Sequence, residues 1–529
     1  MSSGSRLKKL KKVGMEYKNG IRVMDWILYL YLLAIFGVYP WITDDKYFNI
    51  TVTRYNFFMI ATFLYTALAL VGYLLDRFIL KQYGVGQEVI TGEQILTYRN
   101  PDFWMGAFLF AQLFAWVVAP DKAAAMTGIQ GRRMGLLFFI AVALMYMFVS
   151  LRAKVSELLM MIFAGTSAYA YVIAIYQHMG NDFMGYRERI KPELYDVFIS
   201  TFGNINIFAS FLCISIPAFI CVAVFSQKLV YRIIAMAVLV PGGMCIMIAN
   251  SDSAYIGLCA AVLFIFFLAY KNSTVQRFLL AMICLAAGNL GVVLQNHLVI
   301  KEYDKRGGVA EALDRVDLAV LILLFAVILY IATVLAAKYC GAKLERLNKK
   351  HVILGMLAAL CIVAVGVVCY GIHSGASLFT FNYKWGTYRG YIWTKCAELF
   401  QEAPVKNKLF GYGNESLKVL MQNNYRKEML AVTGKVYDNA HNEVLQYLIT
   451  TGIAGAVTYI GLCVSSFAYI LKRAQGRAFA YVALAVMTGY FAQSMINVNQ
   501  PITTPFFFVF MALGVGCVRA GSDREGACG

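Results

Sequence analysis

The sequence predicts an all-α, polytopic integral membrane protein with about fourteen transmembrane helices and one long loop outside the membrane. Hydrophobic residues form 60% of the 529-residue chain, charged residues form only 14%, and the mean hydropathy is +0.64. This composition is typical of a protein whose solvent is mostly lipid. Apolar runs of about 17 to 25 residues, long enough to cross a hydrocarbon core of about 30 Å, also recur along the chain.

The apolar runs define the predicted transmembrane helices. They lie near residues 26–42, 55–75, 103–120, 134–150, 157–177, 206–225, 230–249, 254–270, 278–297, 317–337, 352–371, 443–470, 478–497 and 502–518. They divide the chain into an amino-terminal membrane helix bundle (1–371), an external loop (372–442) and a carboxy-terminal set of membrane helices (443–529).

The distribution of Lys and Arg orients the predicted helices, because short basic loops stay in the cytoplasm. The first 25 residues are strongly basic, so the amino terminus is expected inside. Alternation then puts the basic loops at 152–154, 227–232, 271–277, 338–350 and 472–477 on the same side, together with the carboxy terminus. The loop at 121–133 is the exception, because it carries Lys122, Arg132 and Arg133 and yet falls outside.

Several classes of function are disfavoured. The net charge of +18 is spread over many short loops, which argues against a nucleic-acid partner. The twelve cysteines contain no CxxC pair and mostly fall in apolar segments, as expected for small core residues. No Walker loop or GxGxxG motif is present, Asp44 and Asp45 have no further ligand at suitable spacing, and the histidines form no cluster. We therefore predict no cofactor, no metal and, because a basic start leads directly into the first span, no cleavable signal peptide.

The loop at 372–442 does not have the pattern of a linker. Apolar residues recur at helical spacing before Pro404 and again after the turn at 410–413, which predicts two amphipathic helices that form a lid on the membrane. This loop contains nine Lys and Arg residues and five acidic residues. A cationic loop outside the cytoplasm runs against the topology rule, so we expect it to bind something anionic.

Four segments of the chain resemble motifs of the O-antigen ligase and polymerase superfamily of bacterial envelope glycosyltransferases. They are His441-Asn442 with Gly452 and Gly455, the GNxN segment Thr201–Asn206 with Asn204 and Asn206, Arg389–Trp393 with the turn Leu409–Gly413, and Gln493–Pro505. The resemblance covers roughly residues 195–515. It implies a GT-C-like all-helical enzyme that uses no nucleotide sugar and moves a glycan from a polyprenyl diphosphate to an acceptor outside the cytoplasm.

The resemblance assigns the proton-accepting role to His441 and the diphosphate to Arg389. We expect His441 in the first turn of a helix capped by Asp438 or Asn439, where the helix dipole disfavours imidazolium and Asp438 can orient the ring. The alternatives are a histidine that only anchors a helix end and an arginine that is only a solvated surface charge.

Asn442 is expected either to orient the ring or the substrate, or only to cap the helix. Gly452 and Gly455 are expected to be structural, because Gly452 shares a helix face with His441 and a small residue there lets another helix approach closely.

One motif departs from the family. Where members often read Ser-Arg-Gly, this chain reads Ser251-Asp252-Ser253, so the second diphosphate-binding arginine is missing from its usual place. The possible substitutes, each of which can equally be a plain surface charge, are Arg187, Arg189, Arg306 and Arg315. Asp252 can instead orient an arginine or contact the acceptor.

These observations predict an inverting, metal-independent transfer or polymerisation of polyprenyl-diphosphate-linked oligosaccharides at the outer face of the bacterial cytoplasmic membrane. The acceptor is a glycan, a lipid or a protein, and we favour polymerisation because no residue identifies a lipid or protein acceptor. Membrane lipids, a flippase and a chain-length regulator are the expected partners. The alternatives are a lipid-carrier flippase, for which no internal repeat is evident, and an envelope scaffold.

Overall fold

The computed structural model describes residues 23–75, 97–152, 157–298, 307–345 and 379–525, and, within 351–375, residues 351, 352, 355, 358, 362, 365, 366 and 369–375. These residues contain helices and no strand, which confirms the predicted all-α class. The helices are α1 Val23–Leu33, α2 Ile50–Leu75, α3 Pro101–Val118, α4 Lys122–Thr127, α5 Leu136–Arg152, α6 Glu157–His178, α7 Ile205–Phe225, α8 Leu229–Ile248, α9 Asp252–Lys271, α10 Val275–Leu298, α11 Gly308–Leu313, α12 Val316–Glu345, α13 Trp385–Glu402, α14 Val405–Phe410, α15 Leu417–Thr433, α16 Glu443–Thr450, α17 Gly452–Arg473, α18 Ala478–Ser494 and α19 Thr504–Glu525. A π-helical turn, Ala34–Val38, follows α1, and a 3-10 turn, Pro192–Leu194, precedes α7.

Nine helices in the described residues are long and apolar enough to cross a membrane: α2, α3, α6, α7, α8, α9, α10, α12 and α17. Shorter apolar helices cover 25–38, 136–151, 478–494 and 504–519. Each predicted span except 352–371 overlaps one of these helices, and 352–371 lies largely outside the described residues. The polytopic membrane class is confirmed, and the count of fourteen spans stays a prediction.

Helix α7 lies at the centre of the bundle. It is apolar on all sides, and almost every residue from Ile207 to Phe225 is buried. Helix α18 packs against α7 and α9, and α19 packs against α5 and α18. A side chain at Gly257 would meet the Gly489 carbonyl, and one at Gly489 would meet the Cys213 carbonyl, so glycines let α7, α9 and α18 approach closely. The predicted division of the chain into the parts 1–371, 372–442 and 443–529 stays a prediction.

The segment from α13 to α16 has a buried apolar cluster of its own. Tyr391, Ile392 and Cys396 of α13 pack with Leu417 and Met421 of α15, and Ala440 and Ile449 complete the cluster. The structure therefore contains the two amphipathic helices that the apolar spacing predicts. The backbone of Gly386, Thr387 and Tyr388 is left-handed, so regular helix in α13 begins only near Arg389.

The predicted continuous span at 443–470 is wrong in one respect, because it is broken at Thr451 into α16 and α17. Gly452 has a φ of 70°, and its backbone lies against Leu409 and Phe410. The Tyr412 amide donates to the Ile449 carbonyl (3.2 Å), and the Gly413 amide donates to the Thr450 carbonyl (2.8 Å). The turn after α14 thus satisfies carbonyls that the end of α16 leaves free.

Candidate functional site

His441 lies in the connection between α15 and α16, one residue before the helix cap. Asn442 is the cap, because its side chain accepts from the Leu445 amide at 2.9 Å. The predicted position of His441 in the first helical turn, capped by Asp438 or Asn439, is therefore corrected. Asn439 instead accepts from the His441 amide at 2.6 Å and supports a left-handed backbone with a φ of 49°. A histidine at this place points from a fixed turn rather than from a helix face.

The surroundings of the imidazole keep it neutral. Burial and the charges of Arg389, Arg132 and Lys435, in that order, lower the pKa of His441 to about 3. The ring meets the Tyr437 ring edge to face, with centroids 5.8 Å apart. Its Nδ1 atom is buried and has no hydrogen-bond partner within the described part of the chain. The neutral state follows from burial and neighbouring cations, whereas the sequence argument relied on the helix dipole.

Arg389 is close enough to His441 for its charge to act on the imidazole. Its Nη1 atom donates to the Gly386 carbonyl at 2.7 Å, which ties it to the left-handed turn that begins α13. Its Nε atom is buried and finds no partner among the residues that the structure describes. Burial lowers the pKa of Arg389, and the Asp252 carboxylate opposes this shift. The predicted pair of His441 and Arg389 is therefore brought together by the fold.

Arg132 also acts on His441, and the sequence analysis did not select it. It lies in the connection between α4 and α5 and is almost fully buried. Its Nε atom is 3.3 Å from Glu415 Oε2, and its Nη2 atom donates to Asn499 Oδ1 at 3.2 Å. A signal was present in the sequence, because this loop was the one short basic loop that the topology placed outside the cytoplasm.

The arginines considered as substitutes for the missing family arginine have other partners. Arg187 is buried and donates to the carbonyls of Phe198 (2.9 Å) and Gln177 (2.8 Å). Arg189 pairs with Asp45, and Arg315 pairs with Asp317 at 2.5 Å. None of these is among the charges that shift the pKa of His441. Arg306 lies outside the described residues.

The GNxN segment joins three parts of the bundle. Asn204 caps α7 and accepts from the Asn206 amide at 2.8 Å. The Asn206 side chain accepts from Ser251 Oγ (3.0 Å), and its carbonyl accepts from Asn497 Nδ2 (2.8 Å). These contacts tie the start of α7 to the start of α9 and to the connection between α18 and α19. Both asparagines have a visible structural task.

The Asp252 carboxylate acts on the charge of Arg389, as one of its two expected roles requires, whereas the surroundings of Asp438 differ from those expected. Asp252 Oδ1 accepts from the Val309 amide at 3.0 Å and ties the start of α9 to α11. Asp438 lies near Glu415, where burial raises the pKa of Glu415 and the charge of Asp438 adds to that shift. Because Nδ1 of His441 has no partner in the described segments, Asp438 does not orient the imidazole in this structure.

The two glycines of the signature agree with the prediction only in part. Gly452 lets the end of another helix, α14, approach closely at Leu409 and Phe410, but it does not share a helix face with His441, which lies before α16. A side chain at Gly455 would overlap Thr451 Oγ1 of the preceding turn. Both glycines therefore shape the joint between α16 and α17, and this joint holds the connection that carries His441.

Part of the chain matches a known protein family. The model of a family described as O-antigen ligase matches residues 308–460, from α11 into α17. The matched part contains Arg389, His441, Asn442, Gly452 and Gly455, and it confirms the resemblance predicted from the sequence. Arg132 and Asn499 lie outside it. No curated protein matches the chain.

Proposed function

From the match of residues 308–460 to the O-antigen ligase family, in a polytopic membrane protein, we propose a specific glycosyl transfer. The protein takes an oligosaccharide linked to polyprenyl diphosphate and joins it to an acceptor hydroxyl at the outer face of the bacterial cytoplasmic membrane. The observation that carries the proposal is the convergence of Arg389 and Arg132, from distant parts of the chain, on His441.

The chemistry requires one base and a stabilised leaving group. The acceptor oxygen attacks the anomeric carbon opposite the diphosphate, so a new C–O bond forms as the bond to the diphosphate oxygen breaks, and the configuration inverts. The hydroxyl proton passes to the neutral imidazole of His441. The electron pair of the broken bond remains on the polyprenyl diphosphate, whose charge increases. Water then removes the proton from the imidazolium.

Two guanidinium groups suit the departing diphosphate. Guanidinium forks bind phosphate oxygens in bidentate fashion, and cations fixed before the reaction stabilise charge as it develops. The buried Nε of Arg389 has no partner among the described residues, so a donor group remains for a ligand. Asp252 stands where members of the family often carry the second arginine. In this protein Arg132 supplies that second cation.

The cations also explain how a weakly basic imidazole serves as a base. In the free protein burial and then the charges of Arg389, Arg132 and Lys435 hold the pKa of His441 far below its ordinary value. A bound diphosphate carries negative charge to the same cations and offsets their effect on the ring. The imidazole of His441 therefore becomes a stronger proton acceptor when the glycosyl donor is bound. When the glycosyl donor is absent, the imidazole stays unprotonated.

The described residues say less about the molecule that accepts the glycan than about the donor. We favour a second carrier-linked repeat as the acceptor, which makes the protein a polysaccharide polymerase served by a flippase and a chain-length regulator. Asn442, Asn204 and Asn206 shape the site through capping and helix contacts. In this proposal both termini are cytoplasmic, and the segment from α13 to α15 lies outside.

Product analysis tests the proposal. Purified full-length protein in lipid nanodiscs is given a polyprenyl-diphosphate oligosaccharide, and the glycans are separated by length. A ladder supports polymerisation, and a single addition to another acceptor supports ligation. Movement of labelled carrier across liposomes without any new glycosidic bond would overturn the proposal in favour of a flippase.

A further inference from the structure

A chain of buried polar side chains runs from the start of α16 to Arg132. Asn499 Nδ2 donates to Glu443 Oε1 at 3.3 Å, and Arg132 Nη2 donates to Asn499 Oδ1 at 3.2 Å. Glu415 lies on the other side of the guanidinium, with Oε2 at 3.3 Å from Nε. The four side chains come from four separate segments, and their exposed fractions lie between 1% and 6%.

The chain of contacts has one direction. The Asn499 amide presents its oxygen to the guanidinium and its nitrogen to the Glu443 carboxylate. In the reverse orientation two donors would meet at Arg132 and two acceptors would meet at Glu443. Glu443 also accepts from the Tyr447 hydroxyl (3.2 Å) and from the Tyr459 hydroxyl (3.0 Å). All of these contacts use the carboxylate as an acceptor. Buried charges are tolerated when they are paired and hydrogen-bonded in this way.

The hydrogen bonds of Glu443 lead away from His441, which lies two residues earlier in the chain. The groups that shift the pKa of His441 are burial and three cations, and Glu443 is not one of them. The carboxylate instead reaches Asn499, between α18 and α19, and through it Arg132, between α4 and α5. The buried acid at the first position of α16 is therefore connected to Arg132 by hydrogen bonds.

We propose that Glu443, acting through Asn499, is a positioning residue for Arg132, an inference that rests on the proposed diphosphate-binding role of Arg132. An arginine on a connecting loop has many rotamers, and ordering it on binding would weaken the complex. Glu415 and Asn499 hold the guanidinium from two sides before the donor arrives. Because Glu443 begins the helix that follows His441, one rigid element sets the distance between the base and the cation.

Binding of polyprenyl diphosphate, the carrier released whatever the sugar, tests this inference. We expect Asn499→Ala and Glu443→Leu in the full-length protein in nanodiscs to raise its Kd about tenfold. Glu443→Gln keeps an oxygen that accepts from Asn499, so its Kd should stay within about threefold of the unmodified protein. Rescue by Gln after loss by Leu is a result that a general loss of packing would not produce.

Tyr459→Phe is the matched control. It removes a donor to the other Glu443 oxygen at similar burial and leaves the contact with Asn499 in place. It should lower the Tm and leave the Kd unchanged. If Tyr459→Phe weakens binding as much as Asn499→Ala does, Glu443 only stabilises the fold and the inference is overturned.

The Arg132→Ala variant separates the two levels of the proposal. An unchanged Kd in Arg132→Ala would overturn the diphosphate role of Arg132. A raised Kd in Arg132→Ala with no change in Asn499→Ala would overturn the positioning role alone. In the double variant Asn499→Ala should add nothing to the effect of Arg132→Ala, and an additive effect would contradict action through Arg132. This comparison decides the question even if Glu443→Leu does not fold.

Discussion

The backbone of Gly452 lies directly against the backbone of Leu409, although 42 positions of the chain separate them. Gly411 makes the reciprocal approach to Thr450, and two hydrogen bonds from the turn at 412–413 close the joint. The turn after α14 and the glycine signature after His441 are therefore two halves of one structure. The joint fixes the end of α16, and because this helix has only eight residues it also bears on the position of the His441 imidazole that precedes it.

Gly452→Ala tests the joint. A methyl group at this position would overlap the Leu409–Phe410 backbone and would also have to adopt a φ of 70°. We expect a loss of about 3 kcal/mol of stability, from overlap and backbone strain together, and a loss of transfer activity. Gly434→Ala has a similar φ of 73° with open space around it, so it should cost only about 1 kcal/mol. Equal shifts of Tm in the two variants would contradict the close contact.

His441→Ala tests the general base. We expect the rate of glycan transfer to fall by about 10²- to 10⁴-fold, because no other group takes the hydroxyl proton. The Tm should change little, since Nδ1 makes no hydrogen bond within the described residues. His297→Ala, at an exposed histidine in the last turn of α10, should leave turnover unchanged. Normal turnover by His441→Ala would remove the base from the mechanism.

Arg389→Lys tests the guanidinium fork. The substitution keeps the positive charge but loses bidentate geometry, so the Kd for polyprenyl diphosphate should rise by about 10- to 100-fold. Arg189→Lys is the control, because Arg189 is more exposed and is paired with Asp45 away from the imidazole. Titration of both variants in nanodiscs measures the effect. If Arg389→Lys binds polyprenyl diphosphate as tightly as the unmodified protein does, a positive charge alone is enough at position 389.

The pH dependence tests the link between donor binding and base strength. Protonated His441 cannot accept a proton, so activity falls as the pH drops through its pKa. In the free protein that pKa is lowered to about 3, and kcat/KM reports the free protein. The donor anion raises the pKa again, and kcat reports the complex. We expect the acid limb of kcat at a higher pH than that of kcat/KM, and coinciding limbs would contradict the mechanism.

Sequence patterns predicted the membrane class and the loop helices because they depend on local composition. Apolar runs must hide their backbone in lipid whatever surrounds them, and the apolar spacing in α13 and α15 marks the faces that must be buried. The predicted orientation of the helices, and the exception at residues 121–133, also came from local information, namely the positions of Lys and Arg in the short loops. Motif resemblance selected Arg389 and His441 but could not assign their neighbours.

The sequence by itself determined that this chain crosses a membrane repeatedly and carries a cationic segment with two amphipathic helices, and it singled out a histidine close to a helix end. Only the tertiary structure decided that the charge of Arg132 acts on His441, that Arg187, Arg189 and Arg315 are engaged elsewhere, and that α16 and α17 are separate helices. Hydrophobic runs and helical spacing are properties of neighbouring residues. A site built from Arg132, Glu443 and Asn499 depends on which helix ends meet, and packing across hundreds of residues sets that.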